Sequence, residues 1–285
     1  MRIRCVQNII DKIRFKKKVK FSCPEFLPTM YYKIETLKKL KNIETLVLGS
    51  SHGEYGFIAN KPKEYNLSAS YQDLYYSYNL YKKFNTKELK NIILFYSVFS
   101  PGNQLIKTKY YHICSQYKIL ADIDYQCSEV LIDKDIDSIE KDNIVCINKL
   151  RKDIKINKSD RGNCLSYAFP CRTDNVQSRT IPHYKNNQRN NNQNKYLQLL
   201  IDEAQECNQK VIIVLSPATS EYKKELPSSK CLFKEVFDLI EENLYQNAKI
   251  INLYDMEFSK NLFGDWDHLN KDGAEIVSKI IRDQM

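Results

Sequence analysis

The sequence predicts an α/β fold of three layers, α/β/α, built on a flavodoxin-like, mostly parallel sheet of five strands. Short apolar runs alternate along the chain with segments whose apolar residues recur every three or four positions. This alternation is typical of strand–helix–strand units. Glycine or serine follows directly behind several of the runs, as in the turns that lead from strands to helices. With 285 residues, the chain is long enough to bury a substantial core, and we treat 1–285 as one domain.

The first 40 residues are predicted to form a basic, partly helical arm that is interrupted at Pro24 and Pro28. The arm carries part of the formal net charge of +9. A basic arm can contact nucleic acid or anionic lipid, but it is more often a solvated surface. Because the sequence has no zinc-finger, helix-turn-helix or aromatic ribonucleoprotein motif, we expect no nucleic-acid partner.

The first strand is predicted at Thr45–Leu48, and turn residues follow it immediately. Gly49 allows the chain to turn sharply without a Cβ clash. Ser50 and Ser51 then lie at the carboxyl end of the strand, where open α/β sheets bind their ligands. A serine at the start of the next helix can act as a nucleophile beside backbone N–H groups, although most serines in this position only cap the helix.

The other regular elements follow from the same two patterns. Strands are predicted at Glu64–Leu67, Asn91–Phe99, Lys210–Leu215 and Lys249–Leu253. Helices are predicted at Tyr71–Phe84, Tyr196–Cys207, Leu232–Tyr245 and Lys271–Arg282. Asn270 is a favourable N-cap for the last helix, and it should hold the backbone just before that helix in place.

Residues 104–195 are predicted to form an insertion after the third strand, because the regular alternation stops there. Such an insertion would lie over the carboxyl end of the sheet as a lid or an acceptor-binding wall, or it would be a surface addition without contact to substrate. The tract Asn186–Lys195 is too polar to bury, and we expect an exposed or mobile loop. His112 and His183 lie in the insertion without a metal-ligand pattern around them, so we expect solvated or packed roles.

Cysteine usage and hydropathy bound the class of protein. The nine cysteines are scattered and show neither a Cys-x-x-Cys pair nor zinc spacing. The N-terminus lacks the apolar core of a signal peptide, and the apolar runs at 92–99 and 211–215 are too short to span a bilayer. We therefore expect a cytoplasmic protein without stable membrane insertion, with no metal and no cofactor.

The most informative residues besides the first turn lie near the C-terminus. Asp265 precedes His268 by three residues, on the loop that enters the last predicted helix. A carboxylate so placed can hold the imidazole in one tautomer, and the imidazole can then take a proton from the hydroxyl of Ser51. Asp267 is a rival carboxylate, but its side chain is expected to point away from the neighbouring ring. His52 is a rival base, but adjacent residues seldom form a serine–histidine hydrogen bond, and we expect a structural or substrate-lining role.

The pairing of Gly49-Ser50-Ser51 with Asp265-x-x-His268 resembles the SGNH/GDSL hydrolase superfamily. The resemblance implies that Ser51 is the nucleophile and that Asp265 and His268 complete a catalytic triad. Ser50 stands where many members of the superfamily have aspartate. The sequence around both motifs is most similar to the bacterial branch that handles cell-surface polysaccharides, which implies a carbohydrate ester as substrate.

The resemblance also implies an oxyanion hole with three donors. The first is the backbone N–H of Ser51. The second comes from the loop after the second strand, where the superfamily has a glycine and this sequence has Ser68–Tyr71. Ser70 is the expected donor there, with Tyr71 as the alternative. The third is the side-chain amide of Asn103, which follows an ordinary Pro-Gly turn signal.

The predicted function is a serine-dependent ester hydrolase or O-acyltransferase, with an O-acetyl group on a bacterial surface carbohydrate as the expected substrate. The leading alternative is a non-catalytic nucleotide- or sugar-binding protein of the same fold. Gly49, Gly53 and Gly56 loosely resemble a dinucleotide loop, but their spacing does not match it. A third interpretation is a degenerate hydrolase that serves as a scaffold.

Overall fold

Five parallel strands form the centre of the protein, which we describe from a computed structural model. The description covers residues 26–127, 136–164, 167, 175–189, 192–243 and 245–285, so residues 1–25 of the predicted basic arm lie outside it. The strands are β1 (Thr45–Gly49), β2 (Glu64–Asn66), β3 (Asn91–Tyr96), β4 (Lys210–Leu215) and β5 (Ala248–Asn252). They pair in the order β2-β1-β3-β4-β5, with every pair parallel. This is the flavodoxin-like order, and the predicted fold class is confirmed.

The strands read as continuous apolar runs because both faces of the sheet are covered. In β1, Leu46, Val47 and Leu48 are at most 1% exposed. Side chains of alternate residues pack into two separate apolar clusters, with Val47 and Ile93 on one face and Leu46 and Ile92 on the other. Each strand therefore contributes to both layers of the core.

Helices cover both faces of the sheet. In chain order they are α1 (Phe26–Leu37), α2 (Ser51–Gly56), α3 (Leu74–Phe84), α4 (Ile113–Ala121), α5 (Ile136–Asp153), α6 (Gln177–Asn187), α7 (Asn194–Glu206), α8 (Ser220–Lys224), α9 (Ser229–Leu232), α10 (Lys234–Glu242) and α11 (Lys271–Asp283). The layer with α2 and α11 packs on the Val47 face, and the layer with α1, α3 and α7 packs on the Leu46 face.

Several predicted boundaries differ from the structure. The third strand ends at Tyr96 rather than Phe99, and the helix predicted at Leu232–Tyr245 is observed as α9 and α10, which meet at Phe233.

Two further differences have local reasons. The helix predicted from Tyr71 begins at Leu74, because the side chain of Asp73 accepts a hydrogen bond from the N–H of Tyr76 and caps the helix there. Pro28 does not interrupt the N-terminal helix, because it lies in the first turn of α1, where proline is tolerated.

The insertion at 104–195 contains helices rather than a long loop. Helices α4, α5 and α6 lie within it, and α7 begins at its end. Eight residues of the tract Asn186–Lys195, expected as an exposed loop, are described. Four of them belong to the end of α6 and the start of α7, four are exposed, and Gln193 is fully buried. The side chain of Asn187 donates to the carbonyl oxygens of Val98 (2.7 Å) and Leu232 (3.0 Å). The insertion is thereby anchored to the segment that leaves β3, at the carboxyl end of the sheet.

Within the described residues, no helix combines the length and the apolar character that crossing a membrane requires.

Candidate active site

The turn between β1 and α2 depends on a glycine. Gly49 has a φ of +126°, and a Cβ added there would lie 2.7 Å from the backbone oxygen of Phe95 on the neighbouring strand. The turn ends at Ser50, and α2 begins at Ser51. The side chain of Ser51 is half-buried. Its backbone N–H is one of the first in α2, and the first N–H groups of a helix have no hydrogen-bond partner within that helix. The local sequence thus places one hydroxyl at the carboxyl edge of the sheet.

A second loop brings an imidazole to the same edge. Oδ1 of Asp265 accepts hydrogen bonds from the backbone N–H groups of Asp267 (3.0 Å) and His268 (2.7 Å). The side chain of Asn270 accepts from the N–H of Gly273 (3.0 Å) and caps α11. Helix α2 packs against α11, with the backbone N–H of Ile58 donating to the Ser278 hydroxyl (2.8 Å). Side-chain capping and helix packing therefore fix where His268 stands.

Ser51, His268 and Asp265 form a continuous hydrogen-bonded chain. Nε2 of His268 lies 2.8 Å from Oγ of Ser51, and Nδ1 of His268 lies 2.8 Å from Oδ2 of Asp265. Since an ionised carboxylate only accepts hydrogen bonds, Nδ1 of the ring carries the proton. Nε2 of the neutral ring is then an acceptor that faces the serine hydroxyl. This is the tautomer that a general base needs.

The charge on Asp265 is stabilised by this contact. Burial raises the pKa of the carboxyl, but the hydrogen bond from His268, together with the charges of His268 and Arg179, lowers the pKa below its usual value. Asp265 is therefore ionised at neutral pH. It can orient the ring and compensate an imidazolium.

Asp267 serves a second cluster rather than the ring of His268. Its Oδ2 lies 2.9 Å from Nε2 of His52, and its Oδ1 accepts from Nε of Arg179 at 2.8 Å. Nη2 of Arg179 lies 3.3 Å from Oδ2, so the guanidinium binds the carboxylate through two nitrogens, in a bidentate pair. Although burial raises the pKa of Asp267, the Arg179 charge, followed by His268 and His52, lowers it well below the usual value. The Asp267–Arg179 pair is ionised, with Asp267 almost completely withdrawn from water and Arg179 partly exposed.

The insertion supplies two residues to this cluster that the sequence did not indicate as site residues. Arg179 and His183 lie four positions apart on α6, so their side chains share one face of the helix. Nδ1 of His183 lies 2.6 Å from the hydroxyl of Tyr222 and 3.6 Å from Oδ2 of Asp267. Burial lowers the pKa of His183 to about 3, although the negative charge of Asp267 acts to raise it. The sequence signal for this pair was the i, i+4 spacing of an arginine and a histidine. That spacing is common on helices, so it does not indicate a site.

His52 is buried beside His268, a position that fits the structural one of the two roles expected of it. Its ring lies 4.8 Å from the ring of His268 and 5.5 Å from that of Phe99. Nδ1 lies 3.5 Å from Oγ of Ser50, and burial lowers the pKa of the imidazole. His52 is therefore a neutral, packed neighbour of the His268 ring.

The other two predicted oxyanion donors are not directed at Ser51 by any contact among the described residues. The backbone N–H and the hydroxyl of Ser70 both donate to Oε2 of Glu54, at 2.8 and 2.9 Å. Both donors of Ser70 are thus engaged, and an oxyanion role would require this contact to break. The backbone N–H of Asn103 donates to the Phe99 oxygen (3.0 Å), and its side-chain amide makes no hydrogen bond within the described chain.

His52, Asp267 and His268 bring three potential metal ligands within 4.8 Å of one another. The residues around them fit a cation poorly. Nη2 of Arg179 lies 3.3 Å from each ring nitrogen of His268, so a positive charge already stands beside the ligand atoms. Nε2 of His52 must carry a proton to bond Asp267. The group is better explained as a hydrogen-bonded cluster.

Comparisons with known proteins add nothing to this geometry. No protein-family model matches the chain, and no curated protein matches it closely enough to indicate a relative.

Proposed function

We propose that the protein is a serine-dependent acyl ester hydrolase or O-acyltransferase of the SGNH/GDSL type. The observation that carries the proposal is the chain Ser51 Oγ–His268 Nε2 and His268 Nδ1–Asp265 Oδ2, with both distances at 2.8 Å. It is supported by the position of Ser51 at the carboxyl end of a parallel sheet. Nucleophile, base and orienting carboxylate in hydrogen-bond reach are the signature of nucleophilic acyl transfer.

The proposed reaction has two steps. The Ser51 oxygen attacks the ester carbonyl carbon while Nε2 of His268 takes the hydroxyl proton, and Asp265 compensates the resulting imidazolium. The carbonyl electron pair moves onto oxygen, returns as the alcohol leaves, and the alcohol takes the proton from His268. Water or a second hydroxyl then attacks the acyl-serine with the same proton transfers in reverse order.

The acceptor in the second step separates the two proposed activities. Water gives an esterase, whereas a sugar hydroxyl gives an O-acyltransferase, and the outcome depends on how well the site excludes water. An O-acetylated bacterial surface carbohydrate is the proposed substrate, on the resemblance of the two motifs alone. Measuring acetate release and acetyl transfer separately, with acetylated sugars and activated acetyl donors, assigns the activity.

A fluorophosphonate probe tests the nucleophile. We expect wild-type protein to be labelled covalently and Ser51→Ala to lose labelling, because only a serine activated by a base attacks the phosphorus centre at a useful rate. Ser50→Ala is the matched variant, since it removes a hydroxyl one residue away. It should still be labelled.

Circular dichroism melting curves show whether each variant is folded. Labelling of folded Ser51→Ala at the wild-type rate would remove the catalytic proposal. Tight nucleotide or sugar binding by a wild-type protein that is neither labelled nor active on esters would favour the non-catalytic binding protein instead.

A further inference from the structure

The triad lacks assigned donors for the negative charge that develops on the substrate oxygen. The N–H and hydroxyl of Ser70 are both held by Glu54, and the amide of Asn103 is not hydrogen-bonded to the site within the described chain. The backbone N–H groups of Ser51 and of Tyr71, the alternative to Ser70, are the remaining predicted backbone donors. A backbone N–H carries no full charge, so a cationic donor would add stabilisation as the oxyanion develops.

Arg179 offers donors at this position. Asp267 binds the guanidinium through Nε and one N–H of Nη2. Arginine has five N–H groups. Nη2 also contacts both ring nitrogens of His268 at 3.3 Å, so the outer edge, which neither Asp267 nor His268 uses, is formed by Nη1. Nη1 makes no hydrogen bond to the described part of the chain. The side chain is 35% exposed, whereas Asp267 behind it is 2% exposed.

The guanidinium stands beside the path of proton transfer and does not block it. Nη2 lies 3.3 Å from both ring nitrogens of His268. Each of these nitrogens already has a partner in the plane of the ring, Asp265 on one side and Ser51 on the other. A group equally distant from both therefore lies over the face of the imidazole. From there Nη2 contacts the same ring nitrogen that bonds the serine oxygen, and the Ser51–His268 hydrogen bond is left intact.

We propose that the outer edge of the Arg179 guanidinium donates to the oxyanion formed during attack by Ser51, which makes Arg179 a catalytic residue supplied by the insertion. The inference rests on the proposed function. As the Ser51 oxygen bonds the carbonyl carbon, the displaced electron pair comes to rest on the carbonyl oxygen, and Arg179 bonds that oxygen. Arg179 keeps its proton throughout, since Asp267 raises its pKa although burial lowers it.

Asp267 is the positioning residue for Arg179 in this account. It fixes the planar group through two nitrogens, so the outer edge is oriented before substrate arrives. It also cancels the charge of Arg179 in the ground state, which disfavours a role as a general receptor for acidic substrates. A donor whose hydrogen bond strengthens only as negative charge develops on the substrate oxygen lowers the activation barrier rather than KM.

Arg179→Gln tests the proposal with p-nitrophenyl acetate as substrate and phenylboronic acid as a tetrahedral inhibitor of the serine. We expect kcat to fall by about 10²–10³-fold with KM nearly unchanged, as for the loss of one oxyanion donor. The affinity for phenylboronic acid should fall in parallel, because its adduct carries the same negative oxygen. Lys185→Gln removes a cation from an exposed position on the same helix, and it should retain wild-type values.

Each outcome decides the inference separately from the proposed function. If wild-type protein is neither labelled nor active, the proposed function fails. If wild-type protein is active and folded Arg179→Gln equals it, or raises only KM, Arg179 is a structural ion pair and the inference fails. Should the glutamine variant not fold, Arg179→Lys keeps a cation for Asp267 but lacks the planar group that carries the outer edge. Wild-type kcat in that variant would overturn the proposal.

Discussion

Asp265 and Asp267 lie two positions apart in one loop, and each binds a different histidine. The difference follows from where each side chain leaves the backbone relative to His268. A side chain three residues before His268 can fold back on its ring while accepting the N–H groups of the intervening turn. The adjacent Asp267 points to the other side, toward Arg179. The spacing of Asp265 made its position predictable, whereas the partners of Asp267 come from distant parts of the chain.

Asp265→Asn should therefore reduce kcat by about 10⁴-fold, the scale typical of losing the orienting carboxylate of a triad. The amide can donate to Nδ1 and would stabilise the wrong tautomer of His268. Steady-state ester hydrolysis measures the loss, and Asp272→Asn, an exposed acid in the first turn of α11, is the control. Nearly full activity in folded Asp265→Asn would contradict the assigned geometry.

The strand–turn–helix element around Ser51 is the part of the site most fully specified by local sequence. An apolar run, a glycine and two serines predict a buried strand, a sharp turn and a helix start, and β1, Gly49 and α2 have these positions. The predicted start of the last helix is likewise confirmed at Lys271.

Gly49→Ala should destabilise this element. Alanine would be forced to a φ near that of Gly49, +126°, at a cost of about 1–3 kcal/mol, and its Cβ would press on the backbone of β3. We expect a lower urea midpoint and a loss of fluorophosphonate labelling, because the turn that carries Ser51 must shift. Ser50→Ala lacks this strain and is the control. An unchanged midpoint would show that the turn does not depend on glycine.

Helix α6 could not be assigned to the site from the sequence. Its residues lie in a polar segment without clear periodicity, and it includes Pro182. Its position is fixed by tertiary contacts, such as those from Asn187 to Val98 and Leu232. Of the two alternatives for the insertion, the structure places its α6 helix against the candidate site. Sequence patterns predict local structure well, but they do not predict which distant carboxylate an arginine will bind.

At the scale of the whole molecule, the site places several ionisable groups inside the fold. His52 and His183 are buried, and burial lowers the pKa of both, to about 3 for His183. In the unfolded chain each would have its ordinary pKa near 6.5. Below that pH the unfolded state binds protons that the native state does not, so stability falls as the pH decreases from about 6.5 toward the native pKa values.

The free energy of unfolding should therefore decrease below pH 6.5, by about 1.4 kcal/mol per pH unit for each imidazole that stays neutral in the fold. Urea denaturation between pH 7 and pH 5 measures the slope. His183→Gln should reduce the slope by the share of one imidazole, whereas Lys185→Gln should leave it unchanged. Equal slopes in wild type and His183→Gln would show that His183 binds a proton in the native state.

The central claim is that an acyl group passes through the oxygen of Ser51. The most direct test is to mix the protein with p-nitrophenyl acetate, quench with acid during turnover, and locate the acetyl group by tandem mass spectrometry of the digested chain. The account predicts acetylation at Ser51 that decays at the rate of turnover and is absent from Ser51→Ala. Turnover by Ser51→Ala, or a kinetically competent acetyl group on a different residue, would contradict it.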